Sequence, residues 1–141
     1  MNRKLNNIAG SCLCGSVKFR VFGEVDAFYL CHCSRCQRST GTAHVANIFT
    51  QPGNIEWLAG EELLRRYELP EAKSFAKQFC ANCGSGLPYV NRAGTKLVIP
   101  AGSLAESIDF APNGIIFWES RAEWYEQGMM MPKHAIVVNI T

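Results

Sequence analysis

Seven cysteines in three tight clusters constrain this 141-residue chain more than any other feature of its sequence. The clusters are a CxC pair, a CxCxxC triplet and a CxxC pair, formed in order by Cys12 and Cys14; Cys31, Cys33 and Cys36; and Cys80 and Cys83. An odd number excludes a complete set of internal disulfides. Crowded thiolates repel one another unless a divalent cation holds them. Buried apolar cysteines would instead be scattered, and a redox CxxC would open a helix in a βαβ unit, a pattern that is absent here. The clusters therefore predict metal binding.

Composition narrows the class of protein. A 48% hydrophobic content over this length predicts one globular domain spanning residues 1–141. A net charge of +2, spread along the chain, gives no case for binding nucleic acid or an anionic membrane. No apolar run approaches the roughly 20 residues of a membrane-spanning helix. The first residues, MNRKLNNIAG, have no apolar segment typical of a signal peptide, so we predict a cytoplasmic location.

The hydrophobic pattern predicts many short strands. Residues 16–22 alternate, with Val17, Phe19 and Val21 on one face and Lys18 and Arg20 on the other. Further strand-like segments, separated by Gly, Pro and Asn, lie at 43–49, 54–58, 63–69, 74–80, 87–91, 96–102, 115–118 and 134–140. Helix is limited to a turn after Cys33 and another at about 120–125. This pattern predicts a mainly β domain of short antiparallel strands with little helix.

The cysteine spacing favours a partition into four and three ligands. CxC in an extended strand presents both thiolates on one face, and CxxC in a turn does the same. The two pairs would form a closed Cys₄ site that staples the first strand to the segment near residue 80. The triplet would leave a fourth position open for water or substrate. Spacing does not exclude another partition, in which Cys31 and Cys33 join Cys80 and Cys83, although it would split the compact triplet.

Five segments, in their order along the chain, resemble the glutathione-dependent formaldehyde-activating enzyme family, which also includes a centromere protein V group. They are GSCLCGSVKF, CHCSRCQRSTG, FCANCGSGL, AGSL and FWESRAEWY, from Gly10 to about Tyr125. The resemblance implies a β-tent fold stapled by zinc, with two zinc ions per chain. It implies a structural zinc held by Cys12, Cys14, Cys80 and Cys83. It also implies a catalytic zinc held by Cys31, Cys33 and Cys36, which would be the catalytic residues.

The resemblance also implies an activity. The family's founding reaction joins formaldehyde to glutathione, giving S-hydroxymethylglutathione, and is classed with carbon–sulfur lyases. The implied partners are thus a small thiol such as glutathione and an aldehyde. Three thiolates leave a zinc ion formally anionic, so we expect thiol binding and positioning rather than strong carbonyl activation. Departures from the family pattern at Gly86, Ala105, Glu106 and Ile115 avoid the metal ligands and leave the true substrate open.

A second function class is a non-catalytic, zinc-stabilised protein-interaction module. In that case the triplet would recruit a fourth protein ligand such as His32 or His44. His32 alternates with two ligands, so an extended backbone points its side chain to the other face, where we expect packing.

Two arginines and a run of methionines give further expectations. Arg35 or Arg38 would meet carboxylates of a peptide-like thiol. Residues 129–131, all Met, would serve as a lid, as loop packing or as the contact of a homodimer.

Overall fold

The structure, a computed structural model, describes residues 3–139 and confirms a mainly β fold of curled antiparallel sheets. The strands are β1 Lys4–Ser11, β2 Lys18–Cys31, β3 Val45–Thr50, β4 Ile55–Ala59, β5 Leu64–Glu68, β6 Ala76–Cys80, β7 Gly86–Leu87, β8 Tyr89–Val90, β9 Leu97–Pro100 and β10 Gly114–Ile116. The helices are short: α1 Ser34–Thr40 and α2 Tyr125–Met129, with 3₁₀ turns at Glu61–Leu63, Ala101–Ser103 and Trp118–Ser120. In the described residues no helix is long and apolar enough to cross a membrane.

Strand β2 organises the larger sheet. Its first half pairs antiparallel with β1 and β4, and its second half pairs antiparallel with β3 and parallel with β10. Gly23, with a φ of +95°, lies between the halves, where an L side chain would be strained. The sheet continues from β3 through β9 to β8, and a separate antiparallel sheet contains β5, β6 and β7.

The core is built from the alternating face of β2 and its neighbours. Val17, Phe19 and Val21 are fully buried, as the alternation predicts. Each fully buried side chain of this size stabilises the fold by about 1.5–3 kcal/mol. The Phe19 ring packs edge-on against Trp57 with centroids 5.7 Å apart. Gly10 lies so close to this ring that a Cβ there would be 2.2 Å from Phe19, so the position requires glycine.

The predicted strand at 134–140 is wrong over its described part. Residues 134–139 form no strand and are exposed, while residue 140 lies outside the described residues. An apolar, β-branched segment forms a strand only where a sheet edge pairs with it, and none does here. Conversely, β1 was not predicted, because Asn7 at φ +51° and a register shift between Leu5 and Ile8 break its alternation.

Several other predicted strands are shorter than expected, and two of them end at a change of backbone conformation. The strand predicted at 96–102 ends at Pro100, and the chain continues as a 3₁₀ turn. The strand predicted at 115–118 ends at Ile116, because Phe117 takes a left-handed φ of +56°. The predicted turns after Cys33 and near residue 120 are helical, as α1 and as the 3₁₀ turn before α2.

Candidate metal centres

One candidate centre forms where two turns meet. Cys12 directly follows β1 and Cys80 ends β6, with Cys14 and Cys83 in the turns beyond them. The four Sγ atoms lie within 4.8 Å of one another, and those of Cys12 and Cys14 are 3.6 Å apart. A tetrahedral ion with metal–sulfur bonds of about 2.3 Å needs sulfur–sulfur distances of roughly 3.8 Å. The four thiols therefore fit a tetrahedral metal ion.

Hydrogen bonds from the surrounding chain support this four-cysteine cluster. The backbone N–H of Val17 donates to Cys12 Sγ at 3.3 Å, and the side-chain amide of Asn82 donates to Cys14 Sγ at 3.3 Å. The Leu13 N–H donates to Ser85 Oγ at 3.0 Å, which joins the two turns directly. Hydrogen bonding by Ser85 lowers the pKa of Cys83 to about 5. These donors favour the thiolate form that a metal ion requires.

The second candidate centre comes from residues 31–36. Cys31 ends β2, Cys33 caps the N-terminus of α1, and Cys36 lies in its first turn. The Cys36 N–H donates to Cys33 Sγ at 3.3 Å, so the cap itself holds one ligand in place. All three Sγ atoms lie within 4.8 Å of one another. The strand end and the helix cap thus bring the triplet together as a three-cysteine cluster.

The thiols of the three-cysteine cluster differ in their pKa values. A hydrogen bond from Cys36 lowers the pKa of Cys31 to about 6. The same hydrogen bond, together with burial and repulsion from Cys31, raises the pKa of Cys36. Three neighbouring thiolates are therefore unfavourable without a cation, and a divalent ion would relieve that repulsion.

No fourth donor completes the three-cysteine cluster within the described part of the chain. Among the described His, Cys, Asp and Glu side chains, only those of Cys31, Cys33 and Cys36 have ligand atoms close enough together to share an ion at this site. His32 is fully buried, and its ring lies 4.8 Å from that of His44 and 4.7 Å from that of Tyr125. Burial lowers the pKa of His32, so the imidazole is neutral. His32 therefore packs in an aromatic cluster, as its alternation with the ligands predicts.

A cavity of about 700 Å³ reaches both clusters, because Cys36 and Cys12 are among its lining residues. Its volume lies within the usual range for small-molecule sites, about 300–1,000 Å³. Strands β3, β6, β8 and β9 and the segment 102–105 form its walls. The three-cysteine cluster therefore faces a space large enough for a small organic ligand.

Two polar side chains in this cavity were not predicted from the sequence. Asn47 is 7% exposed, and its Oδ1 atom has no hydrogen-bond partner. An unpaired buried acceptor costs about 1–3 kcal/mol. Burial, followed by repulsion from Cys36 and Cys31, raises the pKa of Tyr89 and keeps its hydroxyl protonated. A polar residue inside the apolar segment AHVANIF was the available sequence signal for Asn47.

The arginines and methionines singled out from the sequence do not line the large cavity. Arg35 and Arg38 line a separate surface hollow beside α1 rather than the large cavity. Gln37, next to Arg38 in α1, has a structural role, because its side-chain amide donates to the carbonyls of His32 and Ser120 at 2.7 and 2.9 Å. The methionines at 129–131 are exposed, and their role in a homodimer stays a prediction.

Of the four residues that depart from the family pattern, two line the large cavity and two do not. Gly86 and Ala105 line the large cavity. Glu106 accepts a hydrogen bond from the backbone N–H of Ala9 at 2.8 Å, and Ile115 is exposed on β10. Only Gly86 and Ala105 are therefore placed to shape a bound ligand.

Comparison with known proteins gives three findings. The family model described as "Glutathione-dependent formaldehyde-activating enzyme" matches residues 7–120. A curated protein of Halomonas elongata, named provisionally as a glutathione-dependent formaldehyde-activating enzyme, is 26% identical over 125 residues, covering 84% of this chain and 80% of that protein. A crystal structure of a Rhodobacter sphaeroides protein superposes with a TM-score of 0.60 at 20% identity, over 77% of this chain and 99% of the other, and supports the fold.

Proposed function

The chain belongs to the glutathione-dependent formaldehyde-activating enzyme family, and on that premise we propose that it is a zinc-dependent carbon–sulfur lyase. It would join a small thiol to an aldehyde, or split the adduct. Cys12, Cys14, Cys80 and Cys83 would hold a structural zinc ion. Cys31, Cys33 and Cys36 would hold a catalytic one. Glutathione and formaldehyde are the first pair to test, because the family's name specifies them.

One observation carries this proposal. The three-cysteine cluster has no fourth donor among the described residues, and Cys36 lines the large cavity. A structural zinc site is normally closed by four protein ligands, whereas a site that acts on a substrate keeps a position open. The cavity supplies the route by which a ligand would reach that position. The donor set and its surroundings therefore support a site that receives a small molecule.

The chemistry follows from the donor set. When bound, zinc would supply a soft coordination position that favours sulfur as thiolate over oxygen. The helix cap fixes Cys33, and Cys36 on the cavity wall sets the side from which a thiol approaches. The thiol releases its proton to solvent, its sulfur forms a bond to the carbonyl carbon, and the carbonyl oxygen takes up a proton. The product is a hemithioacetal, and the reverse steps split it.

Cobalt substitution tests the open position. Co²⁺ in thiolate sites has visible absorption that changes with coordination, so adding glutathione to the cobalt protein should shift the spectrum with saturable dependence on concentration. A Cys33→Ser variant should lose the shift. A matched Cys14→Ser variant, altered in the other cluster, should keep it if the protein remains folded. If glutathione leaves the absorption spectrum of the fully cobalt-loaded protein unchanged, the proposal is contradicted.

A further inference from the structure

The proposed reaction leaves one requirement unmet by the cysteines. When sulfur attacks a carbonyl carbon, negative charge develops on the oxygen, and enzymes stabilise such charge with pre-placed hydrogen-bond donors. A zinc ion with three thiolate ligands is a weak Lewis acid, so it supplies little of this stabilisation. The chain itself has to present donors toward the position that Cys36 faces.

Strand pairing places two polar side chains on one sheet face with the three-cysteine cluster. Cys31 pairs with Val45, and Asn47 lies two residues further along β3, on the same face. Asn47 in turn pairs with Pro100 of β9. Tyr89 pairs with Val98, two residues before Pro100, so it shares the face as well. Val45, Asn47, Tyr89 and Pro100 all line the cavity together with Cys36.

Most other polar side chains in the cavity wall are already engaged within the protein. Lys77 donates to the Ser39 carbonyl at 2.7 Å, and Gln78 donates to the Pro88 carbonyl at 2.8 Å. The hydroxyls of Ser39, Thr40, Ser85 and Ser103 also have partners. Ser11 directly precedes Cys12, at the four-cysteine end of the cavity. Asn47 and Tyr89 therefore remain as the polar side chains on the face of the three-cysteine cluster that have no hydrogen-bond partner among the described residues.

We propose that the Tyr89 hydroxyl and the Asn47 side-chain amide donate hydrogen bonds to the oxygen of the aldehyde and of its thiol adduct. This role rests on the proposed function and makes both residues catalytic. As the sulfur–carbon bond forms, the carbonyl π electrons move to the oxygen that the two donors hold, and that oxygen takes a proton from water. In the reverse direction the hydroxyl proton returns to water and the sulfur leaves as thiolate.

The same donors define a substrate class. They recognise a carbon that bears both sulfur and an oxygen, as in a hemithioacetal, and give nothing to a simple thioether. A thioether of glutathione such as S-methylglutathione is therefore expected to bind more weakly than the hydroxymethyl adduct. The unpaired Oδ1 of Asn47 is an acceptor, and it can take the hydrogen bond that the hydroxyl of the adduct donates.

The test uses zinc-loaded protein with glutathione and formaldehyde as the probe pair. Magnetisation-transfer NMR at equilibrium measures the rate of exchange between free formaldehyde hydrate and the adduct. Tyr89→Phe should lower the enzymatic exchange rate at least tenfold, and Asn47→Leu several-fold, with zinc content unchanged and the dissociation constant for glutathione within twofold. Tyr29→Phe is the matched control, because Tyr29 pairs with Asn47 across the sheet but lies outside the cavity wall; it should exchange at the wild-type rate.

The outcomes separate this inference from the function on which it rests. Wild-type rates in both variants, or a loss of glutathione affinity equal to the loss of rate, would overturn the role at the oxygen and leave the proposed function standing. Zinc-loaded wild type that neither binds glutathione nor accelerates exchange would overturn both. Thermal unfolding identifies a merely structural effect: Asn47→Leu should not lower the melting temperature, because the amide has no partner to lose. If that variant does not fold, Tyr89→Phe alone decides.

Discussion

The two cysteine clusters use the same donor atom on different backbones. The four-cysteine cluster joins two turns distant in sequence, with Cys14 and Cys80 separated by 66 positions. The three-cysteine cluster comes from one strand end and the helix that follows it at once. An ion in the first would close a long loop, whereas an ion in the second closes almost none. We therefore expect an ion in the four-cysteine cluster to hold the fold, and an ion in the three-cysteine cluster to be free to serve chemistry.

Loop closure gives this difference a magnitude. Linking residues nearly 70 positions apart removes unfolded-chain entropy worth on the order of 4 kcal/mol, in the chain-entropy treatment of cross-links. A link within residues 31–36 restricts the unfolded chain far less. The four-cysteine cluster also ties the end of β1 to β6, in the sheet of β5, β6 and β7. Loss of that ion should loosen the second sheet.

The largest expected effect separates the clusters by stability. Cys80→Ser should lower the free energy of unfolding by about 3–5 kcal/mol, because it opens the long loop and unties β6. Cys33→Ser should lower it by about 1 kcal/mol or less and lose one zinc ion, since the other ligands there are local. Circular dichroism on heating, with elemental analysis of each variant, makes the comparison. Equal destabilisation by the two substitutions would contradict the division of roles.

An intermediate effect concerns pH. Protons compete with metal for thiolates, so both ions should leave as the pH falls. The pKa of Cys83 is lowered to about 5, so thiolate character there persists until the pH approaches that value. The pKa values of Cys36 and Cys80 are both raised, so each cluster has one thiol that protonates early. The triplet's ion should leave first because three protein ligands hold it and four hold the other. A zinc-sensitive dye followed from pH 8 to pH 4 should show two steps, with the triplet's ion first. Cys33→Ser should remove the first step, and a single step in wild type would contradict the order.

The smallest effect tests whether the three-cysteine cluster is truly open. His32→Phe keeps an aromatic ring among His44, Trp118 and Tyr125 and removes two nitrogens that have no hydrogen-bond partner. Stability should change by no more than about 1 kcal/mol, and zinc content should stay at the wild-type value. Loss of one ion per chain would identify His32 as a fourth ligand and favour the interaction-module alternative.

Sequence reasoning succeeded where the signal was local. Alternation identified the buried face of β2, and the CxC, CxCxxC and CxxC spacings gave the groups that the structure brings together. Asn47 and Tyr89 were missed because their common location depends on two strand registers, through β9, that no local pattern encodes. The strand predicted at 134–140 was wrong over residues 134–139, because strand propensity alone does not provide a neighbouring strand with which to pair. The single domain over 1–141 stays a prediction.

The position of β2 has a consequence for the order in which the chain can fold. Its four partners lie at residues 4–11, 45–50, 55–59 and 114–116, so much of its hydrogen bonding awaits contacts distant in sequence. Such topologies fold slowly, because loop-closure entropy is spent before the contacts that offset it form. We expect substitutions that weaken the centre of β2 to slow refolding, whereas those in β5 should mainly speed unfolding. The parallel pairing with β10 also means that β2 is completed only when residues near 115 are available.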